Sequence, residues 1–184
     1  MTIDPLAPLV WLDLEMTGLD IQKDTILEAA LIITNSNLEI MNTPLTLTIH
    51  VSDEVLNNMN DWSKEHHAAS GLISRVKQSP LTHARASEIL LDEIKKYTKP
   101  NTSFLAGNSV HNDRRFLEKE MPQIVQYLHY KVLDVSSLEI IQKYWFPEVE
   151  EFKKLDLHRA KSDITESIAE LKYYREHILR NTSK

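Results

Sequence analysis

The chain has 184 residues, of which 42% are hydrophobic and 26% charged, and this composition is ordinary for one folded domain spanning residues 1–184. Its net charge of −6 argues against a protein that binds long nucleic acid, because such binding needs Lys and Arg side chains at many phosphates. The absence of cysteine excludes disulfides, thiolate zinc sites and cysteine nucleophiles.

The N-terminal segment MTIDPLAPLV has neither the basic and apolar regions of a secretory signal nor the Arg-rich character of an organelle presequence. No stretch of the sequence is long and apolar enough to span a bilayer. We therefore expect a cytoplasmic protein without membrane association, and an additional organelle pool stays open.

Three apolar stretches rich in β-branched residues open the chain and predict strands. They are LVWLDL, TILEAALIIT and EIMNTPLTLTIHV. The segments TGLDIQKD and NSNL lie between them and carry turn residues. The pattern predicts a three-stranded antiparallel meander.

From Asp53 onward, apolar residues recur at steps of three and four and predict helices. The segments DWSKEHHAASGLISRVKQ and LTHARASEILLDEIKKYTKP are helical, with Gly71 and Pro100 as breaks. TSFLAGNSV and YKVLDVSS predict two further strands, each followed by a helix, in HNDRRFLEKEM and SLEIIQKYW. A long last helix places one apolar face at Ile164, Ile168, Leu171, Tyr174 and Ile178. The fold class is α/β, a mixed five-stranded sheet flanked by helices.

Two carboxylates lie at the end of the first predicted strand. Asp13 and Glu15 are two residues apart, so both side chains point to the same face. Two unpaired carboxylates this close repel one another unless a cation lies between them, and a divalent metal would remove the conflict. An exposed strand face or ordinary salt bridges would also explain the pair.

Two later segments add acidic residues. Asp113 falls in the first turn of a predicted helix, where the helix dipole alone would favour a carboxylate. Asp163 borders the apolar face of the last helix and has little structural reason to lie there unless it faces a polar or metallic group. His158 lies five residues earlier, where a helix-entry role is the alternative.

Together these segments resemble the oligoribonucleases, within the DEDDh superfamily of 3′→5′ exonucleases. The resemblance covers nearly the whole chain, through WLDLEMTGLD, GNSVHNDRRFL, HYKVLDVSSL and HRAKSDITESIAELKYYREHI. It implies a ribonuclease H-like fold. The acidic residues and histidine of the superfamily fall on Asp13, Glu15, Asp113, Asp163 and His158.

The resemblance implies hydrolysis of phosphodiesters with two divalent ions. Oxygen ligands without cysteine fit Mg²⁺ or Mn²⁺ better than Zn²⁺. Asp13 is expected to bridge the ions, Glu15 and Asp163 to bind the ion that activates water, and Asp113 to bind partly through water. His158 is the expected general base, since an unperturbed imidazole pKa near 6.5 suits proton transfer at neutral pH.

The resemblance also implies substrate contacts. A terminal base is expected to pack on Leu19 and on Trp62, for which burial in a helix face is the alternative. The expected contacts to the 5′ phosphate are His67, Ser109, Lys131 and Ser136. Lys131 replaces an Arg that is usual in bacterial relatives, and lysine loses the bidentate fork of arginine. Tyr130 is expected to reach the active site of a second subunit in an obligate homodimer, and a structural Tyr at the start of a strand is the alternative.

The function predicted from the sequence is a divalent-metal-dependent 3′→5′ exoribonuclease. Its expected substrates are very short single-stranded RNAs, especially dinucleotides, and its products are nucleoside 5′-monophosphates. One alternative is a proofreading-type DNA exonuclease with the same acidic residues. The other is a non-catalytic nucleic-acid-binding module on the same fold.

Overall fold

The computed structural model describes residues 4–153 and 160–179, and a five-stranded sheet in the order β3-β2-β1-β4-β5 lies at its centre. The strands are β1 Leu9–Met16, β2 Ile26–Thr34, β3 Leu45–Thr48, β4 Phe104–Gly107 and β5 Val132–Asp134. β2 pairs antiparallel with β1 and with β3, whereas β4 runs parallel to both β1 and β5. The predicted meander and the mixed five-stranded sheet are confirmed.

Helices connect the later strands and cover the sheet. They are α1 Asp53–Asn57, α2 Asp61–Ala69, α3 Leu72–Gln78, α4 His83–Tyr97, α5 His111–Glu120, α6 Pro122–Tyr127, α7 Ser136–Trp145 and α8 Ala160–Tyr174, which continues into a π-helical turn at Arg175–Leu179. Gly71, at a φ of 73°, separates α2 from α3 as predicted. The sequence did not predict α1 and α6, because helices of 5 and 6 residues are too short to display a period. None of the described helices has the length and apolar character needed to cross a membrane.

The two faces of the sheet are packed separately. One face buries Leu12 and Leu14 of β1 with apolar residues of α4, α5 and α6. The other face buries Trp11 against the apolar side of α8 and of the π-helical turn that follows it. All the residues predicted for that side are buried: Ile164, Ile168, Leu171, Tyr174 and Ile178. Burial of these large side chains drives the sheet and its helices together.

The alternation of side chains along β1 places the acidic residues. Leu12 and Leu14 point to the face that α4 and α5 cover, so Asp13 and Glu15 point to the face that α8 covers. α8 begins at Ala160 and carries Asp163 in its first turn. The face that is apolar at Trp11 therefore becomes acidic toward the end of β1.

Candidate active site

Three carboxylates from two distant segments meet at the end of β1. Asp13, Glu15 and Asp163 each offer an oxygen atom that lies within 4.8 Å of the other two. β1 supplies the first two residues and the first turn of α8 supplies the third. Since all the donors are carboxylate oxygens, the group fits a hard divalent cation such as Mg²⁺ or Mn²⁺.

The electrostatics of this carboxylate cluster also favour a cation. Burial, followed by the negative charges of Asp113, Glu15 and Asp163, raises the pKa of Asp13 well above its usual value. Burial and the charges of Asp163 and Glu28 raise the pKa of Glu15 to about 8, although Arg75 opposes the shift. The protein therefore brings together more negative charge than its own cations neutralise, and a divalent ion would remove that repulsion.

Asp113 approaches the cluster from a third element. It is buried in the first turn of α5, beside the apolar residues Phe116 and Leu117 of that helix. Its Oδ1 accepts a hydrogen bond of 3.0 Å from the backbone N–H of Leu14, the residue between Asp13 and Glu15. The pKa of Asp113 is raised, mainly by burial and also by the charge of Asp134, although the hydrogen bond from Leu14 opposes the shift. α5 is thus fastened to β1 beside the carboxylates, and metal binding by Asp113 stays a prediction.

A further acidic residue near the cluster was missed. Glu28 lies opposite Glu15 in the antiparallel register and is 4% exposed. Its carboxylate accepts hydrogen bonds from the Thr48 hydroxyl at 2.8 Å and from the Arg75 guanidinium at 3.1 Å. In the sequence, Glu28 could have been recognised as the single charged residue of the apolar stretch TILEAALIIT, which forms a strand that is buried along its whole length.

A cavity of about 440 Å³ opens beside Glu15. Leu14, Glu15, Met16, Gly18, Leu19, Asn60, Trp62, Ser63 and His67 line it. Leu19 is 64% exposed and Trp62 is 60% exposed. The Trp62 ring stacks on His66 with a centroid distance of 3.9 Å. Burial of Trp62 in a helix face, the alternative considered above, is therefore wrong.

His67 lies in the wall of this cavity. Its Nε2 donates to the Met16 carbonyl at 2.8 Å, because a carbonyl oxygen can only accept. Its Nδ1 lies 3.9 Å from a carboxylate oxygen of Glu15. Burial lowers the pKa of His67, against the effect of the Met16 hydrogen bond. A contact between His67 and a substrate phosphate stays a prediction.

Ser109 and Ser136 lie together beyond the ends of β4 and β5. The backbone N–H of Ser109, a residue at a φ of 48°, donates to Ser136 Oγ and to the Asp134 carboxylate, both at 2.9 Å. Asp134 also accepts from the backbone N–H of Ser136 at 3.1 Å, so it holds both serines. The sequence did not single out Asp134, because its role depends on contacts between two loops. Among the described hydrogen bonds, none joins either serine to His67.

Tyr130 and Lys131 are not among the residues that line the cavity beside Glu15. Tyr130 is 67% exposed and stacks on His129 at 4.6 Å. Lys131 follows it, directly before β5, with its Nζ 5.9 Å from the centre of the Tyr130 ring. His158 lies outside the described residues.

Comparisons with known proteins agree with this arrangement. The model of the exonuclease family RNase_T matches residues 10–171. A probable oligoribonuclease of Dictyostelium discoideum is 50% identical over 167 residues, which cover 91% of this chain and 88% of the relative. An oligoribonuclease of Haemophilus influenzae is 49% identical over 173 residues, covering 94% and 95%. The chain belongs to the oligoribonuclease family. The predicted family and the predicted exonuclease class are confirmed.

Solved structures agree on the fold. Exonuclease I of E. coli in complex with a dA16 oligonucleotide has a TM-score of 0.77 at 13% identity, covering 95% of this chain and 42% of that one. Exonuclease I of Methylocaldum szegediense has a TM-score of 0.72 at 18% identity, covering 95% and 41%. The chain thus spans about two fifths of these longer proteins. The ribonuclease H-like fold predicted from the sequence is confirmed.

Proposed function

We propose that the protein is a divalent-metal-dependent 3′→5′ exoribonuclease that converts very short RNA, especially dinucleotides, to nucleoside 5′-monophosphates. The observation that carries this proposal is that Glu15, one of the three clustered carboxylates, lines a cavity of about 440 Å³ that Leu19 and Trp62 also line. A cavity of this size accommodates small ligands. The names of the relatives from Dictyostelium and Haemophilus support the choice of short RNA.

Asp13, Glu15, Asp113 and Asp163 would hold two Mg²⁺ or Mn²⁺ ions, and Asp13 would contribute to the binding of both. When bound, such a pair of cations neutralises the charge that grows on the phosphoryl oxygens during an in-line displacement. The carboxylates would hold such cations beside the substrate phosphate, and the hydrogen bond from Leu14 N–H to Asp113 holds the first turn of α5 against β1.

The other proposed roles belong to residues around the cavity. Leu19 and Trp62 pack against the bases and hold the scissile phosphate near the carboxylates. Ser109 and Ser136 donate hydroxyl hydrogen bonds to the 5′ phosphate, Lys131 adds positive charge there, and His67 contacts the same phosphate. Protein residues that enclose the 5′ phosphate would limit the length of the RNA that fits in the cavity.

His158 is the proposed general base, and this assignment rests on the family resemblance. Changing His158 to Ala should lower kcat about 10²–10⁴-fold, because proton transfer contributes that much in general-base catalysis. Metal binding should persist, measured as thermal stabilisation of the variant by Mn²⁺. A near-normal kcat would remove His158 from the mechanism.

We further propose an obligate homodimer in which Tyr130 reaches the partner's active site. Large apolar side chains are exposed shortly before β5, in β5 and along α7: Tyr130, Val132, Ile140, Tyr144 and Trp145. Apolar surface of this kind marks a contact with another protein chain. β5 is also an edge strand of the sheet, and an edge strand that is left uncovered invites pairing.

The proposed location is the cytoplasm, with residues 1–184 as one exonuclease domain. The human relative, 48% identical over 174 residues, carries the name "Oligoribonuclease, mitochondrial". Fractionation of the source cells, with detection of the protein in the cytoplasmic and organelle fractions, therefore tests both locations.

A digestion series tests the proposed activity. RNAs of about two to seven residues, labelled at the 5′ end, are incubated with protein, with and without EDTA, beside single-stranded DNA of matching lengths. We expect the dinucleotide to be consumed fastest, EDTA to stop hydrolysis, and Mg²⁺ or Mn²⁺ to restore it. Faster digestion of long DNA would favour a proofreading-type exonuclease, and no hydrolysis with either metal would favour a binding module.

A further inference from the structure

The loop between β1 and β2 presents Leu19 at the cavity, although little of the Leu19 side chain is buried. The residue is 64% exposed, so packing against the core cannot fix its position. Any fixed position must come from hydrogen bonds of the turn that carries it. This turn comprises residues 17–20 and follows β1 directly.

Backbone hydrogen bonds hold the two ends of the turn, from Thr17 N–H to the Thr25 carbonyl at 3.0 Å and from Asp24 N–H to the Asp20 carbonyl at 2.7 Å, and the side-chain hydrogen bonds come from the carboxylate of Asp24. Its Oδ1 accepts from the Thr17 hydroxyl at 2.8 Å, and its Oδ2 accepts from the backbone N–H of Asp20 at 2.8 Å. The carboxylate therefore joins the two residues that flank Gly18 and Leu19. The Thr17 hydroxyl in turn accepts from the backbone N–H of Thr25 at 3.1 Å, which closes the loop at its base.

Gly18 allows the backbone to approach this carboxylate closely. A Cβ atom at position 18 would lie 2.5 Å from Asp24 Oδ2, which is closer than real contacts of this kind. The Asp24 carboxylate thus lies directly against the backbone of the residue that precedes Leu19. Lys119 of α5 fixes the other end of Asp24 by donating to its backbone carbonyl at 2.8 Å.

We propose that Asp24 is a positioning residue for substrate recognition, because its carboxylate sets the 17–20 turn and thereby holds Leu19 at a fixed place beside Glu15. Asp24 acts through Leu19 and does not touch the substrate. Pre-organising a contact in this way favours binding, since less conformational freedom is lost when the base packs on Leu19. This inference rests on the proposed function, which supplies the base that Leu19 contacts.

The kinetic test compares Asp24→Ala with Leu19→Ala and with the double variant on a 5′-phosphorylated RNA dinucleotide. Asp24→Ala should raise KM about ten-fold with kcat within about two-fold, because it removes binding and leaves the carboxylate cluster intact. Adding Asp24→Ala to Leu19→Ala should change KM little further, since the two residues act as one unit. An unchanged KM in Asp24→Ala, or effects that multiply in the double variant, would overturn the proposal.

Two controls separate positioning from general damage to the loop. Asp20→Ala removes a carboxylate from the same turn whose contacts are exposed, namely a hydrogen bond from Gln22 N–H at 3.0 Å and an ion pair with Lys23 at 3.4 Å, and should leave KM within about two-fold. Thr17→Val deletes one donor to Asp24 and should raise KM, whereas Thr17→Ser keeps the hydroxyl and should not. This Thr17 pair tests the same contact if Asp24→Ala does not fold, and equal KM values for Val and Ser would contradict it.

A measurement without substrate tests the positioning of Leu19 independently of the proposed activity. Methyl relaxation in solution reports the order of the Leu19 side chain, which should fall in Asp24→Ala and stay unchanged in Asp20→Ala. If wild-type protein does not digest RNA, the proposed function fails while this comparison still tests the positioning. Equal order of Leu19 in wild type and Asp24→Ala would overturn the positioning itself.

Discussion

Partly buried carboxylates that repel one another lower the stability of the folded chain once they are ionised, and Glu15 is the clearest case. Burial and the charges of Asp163 and Glu28 raise its pKa in the folded chain to about 8, from a usual value of 4.5. Between those two pH values the folded chain holds a proton more tightly than the unfolded chain does. The free energy of unfolding therefore falls as the pH rises through this range in the absence of metal.

Glu15→Gln should consequently stabilise the metal-free protein while it weakens metal binding. In EDTA near pH 8, we expect a higher Tm for Glu15→Gln than for wild type, because one buried negative charge is gone. With excess Mn²⁺ the order should reverse, because wild type gains binding free energy that the variant lacks. Differential scanning calorimetry with and without metal measures both values.

Glu148→Gln is the matched control for this prediction. Glu148 is exposed on the surface, so the same change in charge should leave Tm nearly unchanged in both conditions. A lower Tm for Glu15→Gln than for wild type in EDTA would mean that the carboxylates are compensated by the protein itself. The cluster would then have no electrostatic need for a cation.

Sequence reasoning reached Asp13, Glu15 and Asp163 because each breaks a local pattern. The first two interrupt a buried strand at a spacing that shares one face, and the third borders an apolar helix face. Glu28 and Asp134 were missed because their significance lies in contacts across the sheet and between loops. A single sequence records neither the register of β1 with β2 nor the hydrogen bond from Ser109 to Asp134.

At the scale of elements, α5 connects the carboxylate cluster with the start of β2. In its first turn, the Asp113 carboxylate accepts a hydrogen bond from the backbone N–H of Leu14. At its last residue, the Glu120 carboxylate accepts hydrogen bonds from the Thr25 hydroxyl at 3.0 Å and from the backbone N–H of Ile26 at 3.1 Å. The period of the sequence predicted α5 as a helix. It could not predict these two attachments, because they depend on where the β1–β2 hairpin packs.

His83 of α4 completes the attachment at Glu120. Its Nε2 lies 3.1 Å from the Glu120 carboxylate and 2.9 Å from the Ile26 carbonyl. The hydrogen bond with Glu120 raises the pKa of His83, although burial opposes the shift. Burial acts to raise the pKa of Glu120, but its hydrogen bonds with His83, Ile26 and Thr25 outweigh burial and lower it. The pair is thus most stable in its charged form.

His83→Gln should therefore reduce stability in a pH-dependent way. A group whose pKa is raised on folding stabilises fully below its unfolded pKa of about 6.5, and this contribution is lost as the pH rises through the folded value. We expect the variant to lose about 1 kcal/mol in free energy of unfolding near pH 6, and less near pH 9. Urea titrations of both proteins at the two pH values measure the difference. An equal loss at both would show that His83 acts in its neutral form.

At the scale of the whole molecule, one edge of the sheet carries an apolar surface with no counterpart within the described chain. The order of the strands places β5 at that edge, and α7 follows β5 after a single residue. Tyr144 is 78% exposed and Trp145 is 71% exposed on α7. The sequence predicted the helix but not this exposure, because an apolar face that another chain covers has the same period as one that the core covers.

A second copy of the chain would cover this surface by two-fold symmetry, and it would bring each Tyr130 toward the other subunit. The proposal that Tyr130 acts in the partner's active site can be tested by mixing two inactive variants. Asp13→Asn removes a proposed metal ligand, and Tyr130→Ala removes the contributed tyrosine. A mixed dimer then contains one complete site, formed by Asp13 of one subunit and Tyr130 of the other.

Co-expression of the two variants should restore about a quarter of wild-type activity per subunit, because half of randomly assembled dimers are mixed and each holds one complete site of two. Activity on an RNA dinucleotide, compared with each variant alone, gives this fraction. If Tyr130 serves its own subunit, the mixture will show only the mean of the separate activities. Introducing Tyr144→Glu into both chains should abolish the recovery, because a charge on the exposed face of α7 opposes burial of that face.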